Sequence, residues 1–335
     1  MRDAAAQAHG NKNGMTKKLR PHSTAKQPTP GGEPFFLPLR HDCNQNCIFC
    51  SSPNGRLYGE TPAEWLRFLD GFKGDFLQIS GGEPLLRDIT GLLALLKRCA
   101  QRGICVELQT NGSLLCSLPP KGLRALALLV KKTGGNFNIN FPAHNAATDK
   151  KITGLDGGFA ARLAGLRALR KNGAAIRLTH IINRANYKAL PDFAKFCVRE
   201  LGGRDMVQFS FAKATGRAAN RKVTARYEEV APYLNRALAA AEKSGLNYRV
   251  DYIPLCYIQK FLERHIDWDK APQKTSGPHT YEKKKPASCA GCGLFVNCLG
   301  PRLDYLRLYP GFTPPRVPAG RKPQAPASTR QGRRP

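Results

Sequence analysis

Residues 43–50 read Cys-Asn-Gln-Asn-Cys-Ile-Phe-Cys, so three thiols stand in eight residues with the spacing C-x3-C-x2-C. They follow the apolar run at 34–39, which is typical of a short strand. A structural zinc site takes four ligands, and three thiols on one loop do not complete it. Three thiolates can instead hold three irons of a 4Fe-4S cluster and leave the fourth iron open to a reacting ligand. The loop therefore predicts a metal site with one open coordination position.

Short apolar runs alternate with amphipathic segments from residue 35 onward, the pattern of successive βα units. Six strands are predicted, at 35–40, 75–79, 104–109, 136–141, 174–182 and 206–211. Helices are predicted at 61–72, 89–102, 123–132, 159–172, 191–201 and 227–244. The first of these has Thr61 as its N-cap, with Glu64 placed for a capping box. This pattern predicts an α/β fold with a partial (β/α)6 TIM-like barrel, and an open flavodoxin-like sheet is the alternative.

Composition divides the chain into a folded body and two tails. Residues 1–34 and 311–335 are polar and rich in basic residues or proline, and we expect both to be disordered. The barrel is predicted to span 35–222, and a helical, cysteine-rich auxiliary metal domain is predicted to span 223–310. The net charge is +29, and +19 of it falls on residues 35–310.

This charge favours an anionic partner, and nucleic acid is one possibility. The sequence has no run of 18 apolar residues and no apolar segment after its N-terminal basic residues. We therefore expect neither a membrane span nor a signal peptide, and we expect a cytoplasmic protein. The cytoplasm keeps thiols reduced, so the short spacings among the 11 cysteines indicate metal ligation and not a disulfide framework.

Polar and glycine-rich residues follow the ends of the predicted strands. The turn Gly81-Gly82-Glu83-Pro84 comes after the second strand, and Thr110-Asn111-Gly112 comes after the third. Ligands gather at the carboxyl ends of parallel strands, so we expect these residues to share one rim with the cysteine loop. The two glycines would let backbone approach a ligand closely, and Glu83 would pair with an ammonium group. The alternative is a tight turn with a solvated glutamate.

The cysteine loop with Phe49 before its third cysteine, followed by these two turns, resembles the radical S-adenosylmethionine (SAM) superfamily over roughly residues 35–215. The resemblance implies a 4Fe-4S cluster on Cys43, Cys47 and Cys50, with SAM chelating the open iron through its amino and carboxylate groups. It also implies a set of SAM-binding residues. These are Phe49 near the adenine, Gly81, Gly82 and Glu83 at the methionine ammonium, Asn111, and Asn140 where relatives often carry serine.

The same resemblance implies an enzyme that cleaves SAM reductively and uses the 5′-deoxyadenosyl radical to abstract a hydrogen atom. A reduced flavodoxin or ferredoxin-type protein would donate the electron. Such a radical must be shielded from water, so we expect substrate or the C-terminal segment to cover the barrel mouth. A peptide or protein is the leading substrate expectation, and nucleic acid or a small metabolite is the alternative. The alternative to an enzyme is a zinc-bearing nucleic-acid-binding protein. Such a protein would not need the three-thiol loop or Glu83.

A second cysteine set lies near the C-terminus, where Cys289, Cys292 and Cys298 follow C-x2-C-x5-C and Cys256 stands upstream. The string is similar to the auxiliary-cluster extensions of the SPASM and twitch type, although Arg302 stands where a SPASM string would continue with cysteine. We expect one auxiliary 4Fe-4S cluster on these four thiols. A structural zinc ion on the same thiols is the alternative.

The remaining candidate side chains are expected to have structural roles. Free cysteines without ligand spacing usually pack as small hydrophobes, and a lone histidine is more often a hydrogen-bonding residue than a ligand. Basic runs are more often solvated surface than binding sites. The residues concerned are Cys99, Cys105, Cys116 and Cys197; His144 and His180; Lys283, Lys284 and Lys285; and Arg217, Arg221 and Arg226. We expect Tyr305, Tyr309 and Phe312 to pack the tail against the cluster loop.

Overall fold

The computed structural model describes residues 35–51, 57, 59–86, 89–201, 205–273 and 278–318. The predicted N-terminal tail lies outside the described residues, as does the part of the predicted C-terminal tail from 319 onward. Within the described ranges, no helix is long and apolar enough to cross a membrane.

Seven parallel strands form one sheet in the order of the sequence. Their bounds are Phe35–Pro38 (β1), Phe76–Ser80 (β2), Cys105–Thr110 (β3), Asn136–Asn140 (β4), Ile176–Ile182 (β5), Met206–Phe211 (β6) and Tyr248–Asp251 (β7). Sequential order is that of a barrel, because a flavodoxin-like sheet reverses its strand order at a switch point. The fold is the predicted partial TIM-like barrel, and the flavodoxin-like alternative is wrong. The prediction of six strands is also wrong, since β7 extends the sheet beyond the predicted boundary at 222.

Helices connect the strands and pack on the outside of the sheet. The bounds are Pro62–Gly71 (α1), Thr90–Gln101 (α2), Pro120–Lys132 (α3), Ala146–Thr153 (α4), Gly158–Lys171 (α5), Leu190–Glu200 (α6), Tyr227–Lys243 (α7), Ile266–Lys270 (α8), Pro278–Tyr281 (α9) and Leu303–Leu308 (α10). The predicted capping box is confirmed, since Thr61 Oγ1 accepts from Glu64 N at 3.3 Å and Glu64 Oε2 accepts from Thr61 N at 2.9 Å. Sequence reasoning missed α4, which is short and polar.

The two faces of the sheet differ sharply in polarity. Residues that point outward are apolar and buried beneath the helices, for example Leu77, Leu108 and Phe137. The alternate residues point to the concave face and are polar, and they are Gln78, Glu107, Gln109, Asn138, Arg177 and Thr179. Closed TIM barrels fill their interior with branched apolar side chains. This polar concave face is instead suited to water or a ligand.

Glu107 is the centre of the concave face. It is 1% exposed, and its Oε1 accepts from Gln78 Nε2 at 3.1 Å and from Asn138 Nδ2 at 3.0 Å. Arg177 Nη1 donates to its Oε2 at 2.7 Å. Because Arg177 compensates the charge of the carboxylate, the middle of the concave face is polar without a strong net charge.

His180 is a structural residue beneath the sheet. It is 1% exposed, its ring is stacked on Phe193 with centroids 3.8 Å apart, and its Nδ1 lies 2.9 Å from Phe141 O. Burial lowers the pKa of His180 to about 4, because the charged ring would lose its hydration. This burial agrees with the expectation of a structural histidine.

We expect His180 to make stability fall as the pH is lowered. At pH values between 6.5, the ordinary pKa of histidine, and about 4, the pKa of His180 in the folded protein, His180 is protonated in the unfolded chain and neutral in the folded chain. From pH 7 to pH 5 this should cost the wild type about 2 kcal/mol. Urea unfolding at both pH values should show that His180→Gln loses about 2 kcal/mol less. An equal loss in both proteins would contradict the assignment.

The C-terminal segment returns to the start of α7. The rings of Tyr305 and Tyr227 are stacked with centroids 3.8 Å apart, and Tyr309 OH donates to Thr224 O at 2.7 Å. Phe312 lies beside Tyr257, next to Cys256, with ring centroids 6.5 Å apart. The aromatic residues therefore pack mainly against α7 and only partly against the cysteine segment.

Two expectations for this region are wrong. Val317, in the tail expected to be disordered, is packed, since it is 4% exposed and its carbonyl accepts from Gly293 N at 2.8 Å. Lys283 is buried and not solvated, because its ammonium contacts Asp267 Oδ1 at 2.5 Å and Asp251 Oδ1 at 3.5 Å. Composition did not reveal either contact, because the partners are distant in sequence.

Candidate active site

The three-thiol loop lies after β1 and is held from two sides. Asn46 N and Ile48 N donate to Thr153 O and Ile152 O at the end of α4, at 2.8 and 2.9 Å. On the other side, Arg217 N donates to Cys50 O at 2.9 Å. Cys43 is exposed, Cys47 and Cys50 are half-buried, and all three are free thiols. The neighbouring backbone thus fixes the loop while its sulfurs stay accessible.

The glycine turn after β2 packs against the backbone that leads into this loop. Gly82 N donates to Arg40 O at 2.6 Å, and Glu83 N donates to Asp42 O at 2.9 Å. A Cβ on Gly82 would lie 2.0 Å from Asp42 O, and Gly81 has a φ of +125°. These glycines therefore let the turn backbone pack closely against the backbone of residues 40–42, next to Cys43.

Replacing Gly82 by alanine should displace the cysteine loop, because the new methyl group overlaps the Asp42 carbonyl. We expect the variant to bind less iron after anaerobic reconstitution and to unfold at a lower urea concentration. Gly71→Ala is the matched control, since its Cβ would meet no atom within 4 Å. Iron content equal to that of the control would contradict this role of the turn.

Glu83 joins the turn after β2 to the turn after β3. Its side chain is 0% exposed, and it accepts hydrogen bonds from Thr110 Oγ1 at 2.7 Å, Asn111 N at 2.7 Å and Leu85 N at 3.0 Å. Burial raises the pKa of the Glu83 carboxyl, and these hydrogen bonds oppose the rise. The solvated-glutamate alternative is wrong. The predicted contact with an ammonium group stays a prediction, and the contacts described here give Glu83 a positioning role.

Asn111 reaches the first thiol. Its Nδ2 donates to Asn44 Oδ1 at 2.8 Å and lies 3.8 Å from Cys43 Sγ. The expected meeting of the cysteine loop with the turns after β2 and β3 is present in the structure. Phe49 is half-buried within the loop, and Asn140 is half-buried at the end of β4. Asn140 Oδ1 is a buried acceptor without a hydrogen-bond partner in the described part of the chain.

Arg162 is a central residue that sequence reasoning missed. Its side chain is 0% exposed, Nε donates to Asn111 O at 2.7 Å, and Nη1 pairs with the buried carboxylate of Asp149 on α4. Its Nη2 is buried and has no hydrogen-bond partner among the described residues. An arginine in an amphipathic helix is usually expected on the solvent-exposed face of that helix. The signal that could have found it is its spacing from Leu166 and Leu169, which places it on the buried face of α5.

The thiols of Cys43 and Cys47 are protonated in the absence of a metal. Burial raises the pKa of Cys43, and it raises the pKa of Cys47 to about 12, with the neighbouring Cys43 adding to the rise. The positive charge of Arg162 acts in the opposite direction on Cys47. Metal binding must therefore displace these protons, and Arg162 favours the thiolate form.

The second thiol set also comes together. Cys256, Cys289, Cys292 and Cys298 line one cleft. Burial raises the pKa of Cys256, and the charges of the other three sulfurs add to the rise, because the four thiols face one another. Gly300 N donates to Cys298 Sγ at 3.3 Å. Arg302, at the position where a further cysteine was considered, is instead paired with Asp304 and Glu282.

A third cluster of ligand-type residues contains a buried lysine. In the described residues, ligand atoms of Asp251, His265 and Asp267 all lie within 4.8 Å of one another. The buried ammonium of Lys283 lies among them, at 2.5 Å from Asp267 Oδ1. Because this ammonium contacts both carboxylates, the cluster forms an internal ion pair between β7 and the C-terminal segment.

The Radical SAM superfamily matches residues 37–197. Residues 37–197 are thus similar to this superfamily. This span contains the three-thiol loop, both turns and Arg162, so the geometry described above lies within the matched residues.

Curated relatives of the radical SAM domain have different names. The pre-heme d1 synthase of Dinoroseobacter shibae is 30% identical over 219 residues, which cover 62% of this chain and 51% of that protein. A probable GTP 3′,8-cyclase of Saccharolobus islandicus is 30% identical over 162 residues, covering 46% of this chain and 49% of that protein. The chain thus spans about half the length of these curated relatives.

Solved structures share the fold at low sequence identity. Streptococcus suis SuiB bound to S-adenosylmethionine aligns with a TM-score of 0.59 and 14% identity, covering 87% of this chain and 77% of SuiB. SuiB bound to the precursor peptide SuiA aligns with a TM-score of 0.54 and 16% identity, covering 66% of this chain and 49% of that one. At this identity the likeness shows a shared fold alone.

Proposed function

We propose that this protein is a radical SAM enzyme that holds a 4Fe-4S cluster on Cys43, Cys47 and Cys50 and cleaves SAM reductively. When bound, the cluster and SAM supply a 5′-deoxyadenosyl radical for hydrogen abstraction. The observation that carries the proposal is the free three-thiol loop, fixed between α4 and Arg217 with Asn111 Nδ2 3.8 Å from Cys43 Sγ. Three soft ligands and one open position fit such a cluster.

Two polar residues are placed to act on SAM beside the cluster. We propose that Asn140, which is partly exposed at the end of β4, contacts SAM through its side-chain amide. We propose that Arg162, which is fully buried, acts indirectly, because its Nε bond to Asn111 O positions Asn111 beside Cys43. Gly81, Gly82 and Glu83 hold the adjoining turn, and Phe49 is proposed to contact the adenine.

A peptide or protein substrate is supported by the concave face. Gln78, Gln109 and Asn138 are partly exposed there, and their amide groups can exchange hydrogen bonds with a peptide backbone. SuiB, which has the same fold, is a structure solved with a precursor peptide. The second candidate is a small metabolite, favoured by the 30% identity to proteins named as a synthase and a cyclase.

Transfer of deuterium tests the substrate class. The reduced enzyme is incubated with SAM and with peptide, RNA and metabolite fractions from deuterated cells, and deuterium in 5′-deoxyadenosine is measured by mass spectrometry. We expect the peptide fraction to be the source of deuterium. Deuterium from the metabolite or RNA fraction alone would contradict the peptide proposal.

We further propose that the four C-terminal thiols hold one auxiliary 4Fe-4S cluster. The four thiols line one cleft, and each iron of a cube can take one of them. A structural zinc ion with four thiolates at about 2.3 Å is the alternative.

Replacing Cys292 by alanine distinguishes an auxiliary cluster from a zinc ion at this site. After anaerobic reconstitution, we expect the variant to hold about four irons per chain fewer than the wild type, because one cube has lost a ligand. Iron and zinc are counted by elemental analysis, and Cys105→Ala, at a buried cysteine outside both sets, is the control. Unchanged iron with a loss of zinc would refute the auxiliary cluster.

A further inference from the structure

Three neighbouring helices on the outside of the barrel, α2, α3 and α5, contain no acidic residue. Helix α2 packs against α3, and a Cβ on Gly165 of α5 would lie 2.7 Å from Leu115 Cβ in the turn that leads into α3. The other outer helices of comparable length all contain acidic residues, which are Glu64 and Asp70 in α1, Asp149 in α4, Asp192 and Glu200 in α6, and Glu228, Glu229 and Glu242 in α7. One side of the barrel exterior therefore differs in charge from the rest.

Helix α3 presents a row of cations to solvent. Six of its residues are exposed, and four of these six are the basic residues Lys121, Arg124, Lys131 and Lys132. Steps of three and seven residues place Lys121, Arg124 and Lys131 along one side of the helix. At a rise of 1.5 Å per residue, the row from Lys121 to Lys131 is about 15 Å long.

Carboxylates border this row but do not neutralise it. Those of the adjoining segments are paired with other cations, in the pairs Asp70–Arg98 at 3.1 Å, Asp156–Lys150 at 2.8 Å, Glu200–Arg167 at 2.9 Å and Asp205–Arg170 at 3.5 Å. The exposed Asp75 lies in the turn before β2, beyond the helices. Among the described residues, no carboxylate forms an ion pair with the four cations of α3, with Lys97 on α2 or with Lys171 on α5. These six charges are available to an anionic partner.

The same surface lacks the features that other anionic partners need. In the described structure of α2, α3 and α5, Leu128 is the single large apolar side chain that is exposed, at 49%. A helix that binds a membrane surface needs a broad apolar face, and a stable protein interface has an apolar core. No aromatic ring is exposed on these helices for the stacking of unpaired bases. The phosphate backbone of a duplex needs only cations, because its bases are already stacked and paired.

We propose that the α3 face, defined as Lys97, Lys121, Arg124, Lys131, Lys132 and Lys171, docks the phosphate backbone of double-stranded nucleic acid. A duplex segment of about 15 Å carries about nine phosphate charges, so it can occupy the row along its whole length. Binding is independent of base sequence and is weakened by salt. The face lies on the barrel exterior, and its binding does not depend on cleavage of SAM.

Charge changes on α3 test the docking face. The probes are a fluorescein-labelled RNA duplex and a DNA duplex of the same sequence, and their Kd values for the full-length protein are measured by fluorescence anisotropy at several NaCl concentrations. Lys121→Glu/Lys131→Glu reverses two charges of the row, and Lys121→Ala/Lys131→Ala removes them. Lys243→Glu/Lys260→Glu, at exposed lysines on α7 and after β7, is the control with the same change in net charge as the reversal.

We expect the Kd to rise at least tenfold in the reversal variant and less than threefold in the control. In the alanine variant, the slope of log Kd against log NaCl concentration should fall by about two, because two phosphate contacts are lost. Formation of 5′-deoxyadenosine with dithionite should stay at the wild-type rate in all three variants, which also shows that they are folded.

An equal rise in Kd in the reversal variant and the control would overturn the docking face, because the whole charge of the protein would then be responsible. Duplex binding by the wild type that does not weaken with salt, or no binding at all, would also overturn it. So would tighter binding to phosphatidylserine vesicles or to polyglutamate than to either duplex. Duplex binding through α3 by a wild-type protein that cleaves no SAM would instead refute the proposed function alone.

Discussion

Replacing Cys47 by alanine is expected to abolish SAM cleavage and to remove about four irons per chain. Cys47 is the middle ligand of the loop, and the backbone on both sides of it is tied to Thr153 and Ile152. No other thiol can move into its place without breaking those hydrogen bonds. The measurements are iron content after anaerobic reconstitution and 5′-deoxyadenosine formed with dithionite and SAM.

Cys116→Ala is the matched control for this experiment. Cys116 is also a free and exposed thiol, but it lies in the segment after β3 and belongs to neither thiol set. We expect its iron content and cleavage rate to equal those of the wild type. Retained cleavage in Cys47→Ala would show that the loop is not the cluster site.

Replacing Arg162 by methionine should destabilise the protein by about 3–5 kcal/mol, the range for an uncompensated buried charge. Asp149 is 0% exposed and loses the partner of its carboxylate. Burial already raises the pKa of Asp149, and without Arg162 the rise should be larger. As the pH rises, Asp149 then loses its proton in the unfolded chain but keeps it in the folded chain. Folding is therefore less favourable at high pH, and the loss of stability should be greater at pH 8 than at pH 5.

A second substitution separates the stability of this pair from its binding role. Arg162→Met/Asp149→Leu removes both charges, and we expect it to recover most of the lost free energy of unfolding. Its affinity for SAM should nevertheless stay at least tenfold weaker than that of the wild type, because Asn111 loses the Arg162 hydrogen bond that positions it beside Cys43. Urea unfolding and equilibrium dialysis with labelled SAM provide the two readouts. Wild-type SAM affinity in the double variant would show that Arg162 has only a structural role.

Local patterns predicted the features whose signals lie within a few residues. The cap at Thr61, the alternating strands and the thiol spacing all belong to this class, and the structure has the first two where they were expected. The meeting of Cys43, Glu83 and Asn111 was also predictable, because carboxyl ends of parallel strands share one rim.

The features that were missed depend on contacts between distant segments. Strand β7 has four residues, too few for alternation to be distinguished from a loop, and pairing with β6 is what makes it a strand. Arg162 and Lys283 have the composition of surface residues, and only the carboxylates of Asp149 and Asp267 make their burial tolerable. A single sequence does not show whether a charged side chain pairs with a distant residue in the fold or is solvated at the surface.

The most direct test of the central claim is the formation of 5′-deoxyadenosine from SAM by the anaerobically reconstituted wild-type protein with dithionite. The claim is that Cys43, Cys47 and Cys50 hold a cluster at which SAM is cleaved. It predicts 5′-deoxyadenosine and methionine in equal amounts, dependent on bound iron and absent from Cys47→Ala. Wild-type protein that takes up no iron and sulfide, or that takes them up and releases no 5′-deoxyadenosine, would contradict it.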